Sequence, residues 1–308
     1  MIEPEETSQN GANLESLIAG IIDQGDFFGD KLLKHGALLF RGFSIQNVEE
    51  FESFVRSFSG RETLDYAGGV SPRVELGSGV YTSTEYPSNF TLSLHNELSY
   101  SNNYPENLYF CCLVPAREGG ETTVGDSRAI LKNIDPKIVE SFRNKGVRYD
   151  RNLHGEKGTG YSWQDAFETE DKAAVENHCR KIGADFRWKD DGGLWTSQVR
   201  PATIVHPVTG EEVWFNQADG FHPSNGLNEE EYQTLLATLS EDEFRLNARF
   251  GDGTPLDLEM LRHIREVMQK ETTPIRWQAG DILILDNLLT AHGRMPFSGA
   301  RKIVLAMT

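Results

Sequence analysis

In LSLHNELSY, residues 92–100, apolar and polar residues alternate, which predicts a β-strand with one buried face. Side chains two apart on a strand point the same way, so His95 and Glu97 are expected to share a face while Asn96 turns from it. A paired imidazole and carboxylate are two ligands of a metal site, and the third must come from elsewhere in the chain. His292, in DNLLTAHGR just after the apolar run DILILDN (281–287), is best placed to supply it. The six other histidines, His35, His154, His178, His206, His222 and His263, have no carboxylate two away on a strand-like segment.

Two imidazoles and one carboxylate on one face of an ion leave the opposite face open, the arrangement of non-haem iron(II) oxygenases. Two of the open positions accept a chelating 2-oxo acid and the last accepts O2. A chelated dicarboxylate also places a second carboxylate away from the metal, where a fixed, always-protonated arginine suits it. Arg301 follows His292 by nine residues and opens the last strand-like run, ARKIVLAM (300–307). Arg294 is a second candidate, nearer the metal in sequence.

Outward from these residues, strand patterns occupy both ends of the chain. GALLFRGF (36–43), ENLYFCCLVPA (106–116), GGETTVGDS (119–127), PIRWQ (274–278), DILILDN and residues 300–308 read as strands, and ATIVHPV with EEVWFNQ reads as a hairpin. Helical spacing is expected over about 14–33, 47–60, 170–183, 228–239 and 257–271, with two short helices broken at Asp135–Pro136. Residues 66–86, rich in Gly, Ser, Pro and Thr, read as a long loop. The pattern lacks regular βα alternation and predicts a mainly β fold with surrounding helices, a double-sheet jelly roll. We expect a flexible tail at 1–12, then one domain over 13–308 with a helical, lid-like insertion at about 128–200.

Lys plus Arg number 30 and Asp plus Glu 47, a net charge of −17. Such a surface repels phosphate backbones and anionic lipid, so neither nucleic acid nor membrane is expected as a partner; it suits solubility, a basic partner or a cationic small substrate. Three cysteines, Cys111, Cys112 and Cys179, do not form a disulfide framework and point to reduced thiols in a cytoplasm. The start MIEPEETSQNG lacks an apolar core, so no signal peptide is expected, and no apolar run approaches the ~20 residues that span a bilayer. A homo-oligomer is compatible with all of this.

The sequence resembles the TauD/TfdA family of taurine dioxygenase-like enzymes, and within it the branch of SyrP-type amino-acid hydroxylases from natural-product pathways. The motifs that carry the likeness are LDYAGGVSPR (64–73), YTSTEYP (81–87), LSLHNELSY, GGETTVGDSR (119–128), VWFNQ (213–217) and HGRMPFSGARK (292–302). The resemblance implies a double-stranded β-helix of the clavaminate synthase-like kind, with Fe(II) on His95, Glu97 and His292. It implies 2-oxoglutarate on Thr122 and Arg301, and hydroxylation of an amino acid, free or carried on a carrier protein. A threonine hydroxyl donates to a carboxylate, and Gly119-Gly120 lets the backbone turn close to it. Two departures stand out: Glu97 replaces the aspartate of many relatives, and Leu305 occupies the position of a further family arginine, which leaves Arg294 to serve the metal-side carboxylate.

For the substrate, the residues point to Tyr66, Ser71, Arg73, Tyr81, Asn216 and His222, with Arg73 suited to a carboxylate. The same iron also supports desaturation or cyclisation. Zinc accepts two histidines and a glutamate, so a zinc hydrolase is a competing class, and a catalytically inactive binding or regulatory protein on the same fold is another. A dicarboxylate cradle at Thr122 and Arg301 argues against the hydrolase, and the intact metal triad against the inactive protein.

Overall fold

The chain, described here from a computed structural model, is characterised over residues 1–4, 14–43, 45–66, 68–71, 73–156, 161–240 and 243–308. Its centre is the strand Ile282–Asp286, where Ile282, Leu283, Ile284 and Leu285 are all buried. A strand apolar on both faces must be covered on both. Leu283 and Leu285 face inward with Leu108, Phe110 and Ile303, whereas Ile282 and Ile284 face outward with Tyr109, Cys111 and Val304.

This strand lies between Ala37–Phe40 and Asn107–Val114 in a six-stranded sheet that continues through Lys302–Met307, Val80–Thr82 and Glu75–Gly77. A second sheet runs Thr273–Ile275, Thr122–Asp126, Thr290–Arg294, Leu92–His95, every pairing antiparallel. Leu94 and Ala291 of the second sheet share one apolar core with Leu283, Leu285 and Leu305 of the first, as in a jelly roll. The outer face of the six-stranded sheet is covered by helices Leu14–Asp23, Gly25–His35 and Val48–Ser59 through Leu17, Phe28, Leu32, Phe51, Phe54 and Val55. The single helix expected over 14–33 is thus two, joined at Gln24.

Two expectations need correction. Ile2 forms an isolated parallel bridge to Phe40 at the edge of the large sheet, its N–H donating to Leu39 O at 2.8 Å, so the expected tail begins anchored to the sheet. Residues 5–12 of that tail lie outside the described residues. The 128–200 region is only partly helical. Val147–Leu153, Asp185–Trp188 and Leu194–Arg200 join Leu246–Phe250 in a four-stranded antiparallel sheet. The charged run VRYDRNL hides its strand character because its charges are satisfied internally: Arg148 pairs with Asp150 at 3.0 Å, and Arg151 donates to the carbonyls of Gly68 and Gly69. Among the described residues no helix is long and apolar enough to cross a membrane.

Candidate metal and cosubstrate site

His95 and His292 are directly opposed across the pairing of Leu92–His95 with Thr290–Arg294, their ring centroids 4.4 Å apart. His292 therefore lies in mid-strand and not, as expected, at a strand end. Gly293 beside it permits the close approach: a Cβ there would stand 2.4 Å from Leu92 O and 2.7 Å from Thr123 Oγ1. Glu97 also differs from expectation. The strand ends at His95, and Glu97 sits in the turn beyond it, followed by Leu98 with φ +53°. The carboxylate returns to the histidine face through a turn and not through strand alternation.

Buried Asn287 holds that turn. Its Oδ1 accepts from Glu97 N at 2.7 Å, its Nδ2 donates to Glu97 O at 3.0 Å and Pro105 O at 2.8 Å, and its carbonyl accepts from Asn96 Nδ2 at 2.7 Å. Sequence reasoning missed this residue; the signal was a polar Asp-Asn pair closing an apolar strand.

One nitrogen or oxygen from each of His95, Glu97 and His292 lies within 4.8 Å of the others. His95 Nδ1 faces Ser93 O at 2.9 Å, which fixes the proton there and leaves Nε2 with a free lone pair. His292 Nε2 stands 3.7 Å from Glu97 Oε2, beyond hydrogen-bond length, and its Nδ1 is buried without a partner. Burial, with the charges of His95 and Arg73 adding, pushes its pKa well below the ordinary histidine value. Two imidazoles, that of His292 held neutral by burial, and a carboxylate fit a divalent iron. Arg73 reaches into this group, its Nη2 donating to Glu97 Oε2 at 2.7 Å while its guanidinium lies 4.1 Å over the Tyr66 ring.

Thr122 and Arg301 line the same cavity of about 210 Å³ as His95, Glu97 and His292. Thr122 Oγ1 accepts from Trp277 Nε1 at 3.1 Å. An indole N–H only donates, so the threonine keeps its own proton for a second acceptor. Arg301 Nε donates to Gly120 O at 3.0 Å and Nη1 approaches Ser83 Oγ at 3.4 Å, neither contact using Nη2. Gly120 has φ +73°, and a Cβ there would come within 3.1 Å of Arg301 Nε. Burial and neighbouring Arg294 lower the Arg301 pKa to about 10, still well charged near neutrality. Arg294 also borders the cavity, but its terminal nitrogens donate to the carbonyls of Tyr86, Pro87 and Phe90. Those contacts tie down the 86–90 turn, and its Nε is buried without a partner.

Of the expected substrate residues, Tyr66, Ser71 and Arg73 line the cavity and Tyr81, Asn216 and His222 do not. Tyr81 is buried behind Tyr66 and its hydroxyl accepts from Tyr66 N. Asn216 is consumed by Ala202 O and Ala218 N, and His222 pairs with Ser224. Gln217, Asn225 and Arg245 line it instead. Gln217 closes the VWFNQ run, Asn225 lies beyond it, and Arg245 immediately precedes strand Leu246–Phe250, which the sequence reading lacks.

The model of the family described as "Taurine catabolism dioxygenase TauD, TfdA family" matches residues 4–308. The chain belongs to the TauD/TfdA family. It is 42% identical over 276 residues to the dapdiamide synthesis protein DdaC of Enterobacter agglomerans, covering 90% of this chain and 83% of that protein. It is 28% identical over 297 residues to a clavaminate synthase-like protein of Arabidopsis thaliana, covering 92% and 84%. The crystal structure of PvcB from Pseudomonas aeruginosa matches with a TM-score of 0.54 and 17% identity, over 99% of this chain and 83% of that one, a shared fold. This TauD/TfdA protein is an Fe(II)- and 2-oxoglutarate-dependent dioxygenase that uses O2 on a small-molecule substrate. Family membership leaves the zinc hydrolase and the inactive binding protein without support.

Proposed function

We propose that this enzyme hydroxylates an unactivated C–H of an amino acid in a natural-product pathway. His95, Glu97 and His292 hold the iron, Thr122 and Arg301 hold the far carboxylate of 2-oxoglutarate, and Arg73 with Tyr66 and Ser71 faces the substrate. The observation that carries this reading is that all eight side chains line one cavity. DdaC, named for dapdiamide synthesis, supports the natural-product assignment. The overall change is R–H + O2 + 2-oxoglutarate → R–OH + succinate + CO2, and bound iron with its cosubstrate supplies the oxidising power. The chain's own residues bind, orient and exclude water. Thr122 aims a hydroxyl and Arg301 a charge at one carboxylate, while Phe110 packs against His292 with centroids 5.3 Å apart and keeps the metal side apolar.

The partly sheet-like insertion serves as a lid. Arg151 and Tyr161 of the insertion, with Arg245 beyond it, donate to the carbonyls of Gly68, Gly69 and Val70, which ties the glycine loop that carries Arg73 to it. A free amino acid is favoured over one loaded on a carrier protein, because such carriers are acidic and this chain carries −17. Desaturation and cyclisation remain outcomes of the same chemistry.

The test has two steps. Anaerobic addition of Fe(II) and 2-oxoglutarate is expected to give a visible charge-transfer band, lost in His95→Ala, Glu97→Ala and His292→Ala. Succinate and oxygenated product are then measured with free and carrier-loaded amino acids. Turnover confined to the loaded carrier overturns the preference for free substrate, and turnover with neither overturns the amino-acid reading.

A further inference from the structure

Four arginines line the cavity that contains His95, Glu97 and His292: Arg73, Arg245, Arg294 and Arg301. Three of them are committed. Arg73 is paired with Glu97 and stacked on Tyr66, and its Nε and Nη1 are closed off from any surface. The terminal nitrogens of Arg294 donate to three carbonyls, and Arg301 is assigned above to 2-oxoglutarate. Arg245 is different. Its Nη2 donates to Val70 O at 2.7 Å and its guanidinium lies 5.4 Å over the Tyr161 ring, but among the described residues it has no carboxylate partner. It is also exposed, so an incoming group can reach it.

The backbone fixes where Arg245 stands. Its carbonyl accepts from Asn152 N at 2.8 Å, which anchors it beside strand Val147–Leu153. An outer cavity of about 890 Å³ shares Arg245 with the first, so the side chain stands where the two meet. Glu85, Asp165, Glu168 and Glu170 line that outer cavity, yet among the described residues none forms an ion pair with Arg245. Burial, with the like charge of Arg151, pushes its pKa below the usual arginine value, as befits a guanidinium that lacks an anion. Such a group takes a carboxylate through two parallel hydrogen bonds.

The same cavity carries two amide side chains with their directions fixed. Asn225 Nδ2 donates to Asp219 at 3.0 Å, and Asp219, buried and paired with Arg265, can only accept. Gln217 Nε2 donates to Asn96 O at 2.8 Å, a carbonyl that likewise only accepts. Neither amide can therefore be turned round. Asn225 Oδ1 and Gln217 Oε1 are left without a donor among the described residues, and both residues line the cavity. Helix Ala218–Phe221, which follows Gln217, packs on strand Leu246–Phe250, which follows Arg245, so the segments carrying the two side chains are neighbours. One unpaired cation and two orientated acceptors suit a molecule with a carboxylate and an ammonium on adjoining atoms.

We propose that Arg245 binds the α-carboxylate of the substrate while the amide oxygens of Asn225 and Gln217 receive its α-ammonium. The inference rests on the amino-acid reading above and names the groups that hold the amino acid's common end. Held there, the molecule remains in the cavity of His95, Glu97 and His292, and its side chain is the part left to reach them. An amino acid esterified to a carrier protein has lost the carboxylate charge, so the site selects the free acid.

The test uses the Fe(II)- and 2-oxoglutarate-loaded enzyme without O2, and reads perturbation of its charge-transfer band by the proteinogenic L-amino acids. The tightest of them is then compared with its carboxamide, which lacks the negative charge, and with its deamino acid, which lacks the ammonium. In wild type each analogue is expected to bind about tenfold more weakly, the scale of one charge-assisted contact. In Arg245→Gln the carboxamide penalty is expected to collapse toward unity while the deamino penalty persists. In Asn225→Leu, of similar shape but without the acceptor, the deamino penalty is expected to shrink while the carboxamide penalty persists. The band formed before any amino acid is added reports that each variant is folded and loaded. A carboxamide penalty absent in wild type or undiminished in Arg245→Gln overturns the carboxylate site, and a deamino penalty undiminished in Asn225→Leu overturns the ammonium site. Either result leaves the amino-acid reading standing. A panel in which no free amino acid perturbs the band overturns that reading and this inference with it.

Discussion

Arg73 and Glu97 form a buried ion pair, Nη2 to Oε2 at 2.7 Å, with each side chain 5% exposed. A carboxylate placed to bind metal is thus also bound to a guanidinium. Glu97 carries one methylene more than an aspartate would, and Arg73 restrains the longer side chain. Burial opposes the Arg73 charge, but Glu97 and Tyr66 outweigh it and hold the guanidinium protonated.

Replacing Arg73 by methionine is therefore expected to destabilise the metal-free protein by about 2–5 kcal/mol, the usual result of leaving one member of a buried pair behind. Metal returns a counter-charge to Glu97, so the loss is expected to shrink when Mn(II) is added. Thermal unfolding of wild type and Arg73→Met, each with and without Mn(II), measures this. Equal losses in both states would show that the pair acts independently of the metal.

Arg301→Ala is expected to raise the 2-oxoglutarate requirement far more than the substrate requirement, by an amount equivalent to about 2–5 kcal/mol. Thr122→Val removes one neutral donor and is expected to act in the same direction by about 1 kcal/mol. Arg294→Ala is expected to leave the 2-oxoglutarate requirement nearly unchanged, since its contacts go to the 86–90 turn. Cosubstrate titrations at saturating substrate separate the three, and a larger effect at Arg294 than at Arg301 would exchange their roles.

Asn287 does not itself line the cavity, yet three of its contacts reach the Glu97 turn. Asn287→Ala leaves several buried polar groups without partners, an expected loss on the order of 3 kcal/mol. Glu97 then loses its fixed direction, and Fe(II) affinity is expected to fall as well. Metal titration of the folded variant is the check; undiminished affinity would mean that the turn holds its shape without Asn287.

His222 gives a pH dependence. Burial, helped by Arg265 and Arg249, lowers its pKa to about 4. An unfolded histidine takes its proton near pH ~6.5. As pH falls the unfolded chain therefore binds the proton first, and stability is lost from about pH 6.5 down to about 4. Between about pH 7 and about pH 5 this amounts to roughly 2 kcal/mol. Wild type is expected to lose that much more than His222→Gln over the interval in denaturant unfolding. Parallel losses would assign the effect to other groups.

The cluster of His95, Glu97 and His292 was legible in the sequence because its chemistry is written in residue types, even though the geometric route to it was not. His95 and Glu97 were placed on one strand face, but the chain leaves the strand at His95 and brings Glu97 back through a turn that Asn287 holds. Strands with clean apolar alternation or continuous apolar runs, such as 107–114 and 282–286, read correctly. Val147–Leu153 did not, because its arginines and aspartate look solvent-facing until their internal partners are known. For the same reason Arg245, on the loop before Leu246–Phe250, escaped notice, while Asn216 and His222, which look reactive in sequence, turned out to be held by backbone and hydroxyl groups.

The division between barrel and insertion has an evolutionary consequence. His95, His292, Thr122 and Arg301 stand on or at the ends of jelly-roll strands, whereas Asp165, Glu168 and Glu170 stand on the inserted segment. The candidate metal and cosubstrate residues and the acidic residues of the outer cavity are thus encoded by separate stretches of chain. The inserted stretch can therefore be redrafted without disturbing the strands beneath it, which makes it a separate place to alter the outer cavity.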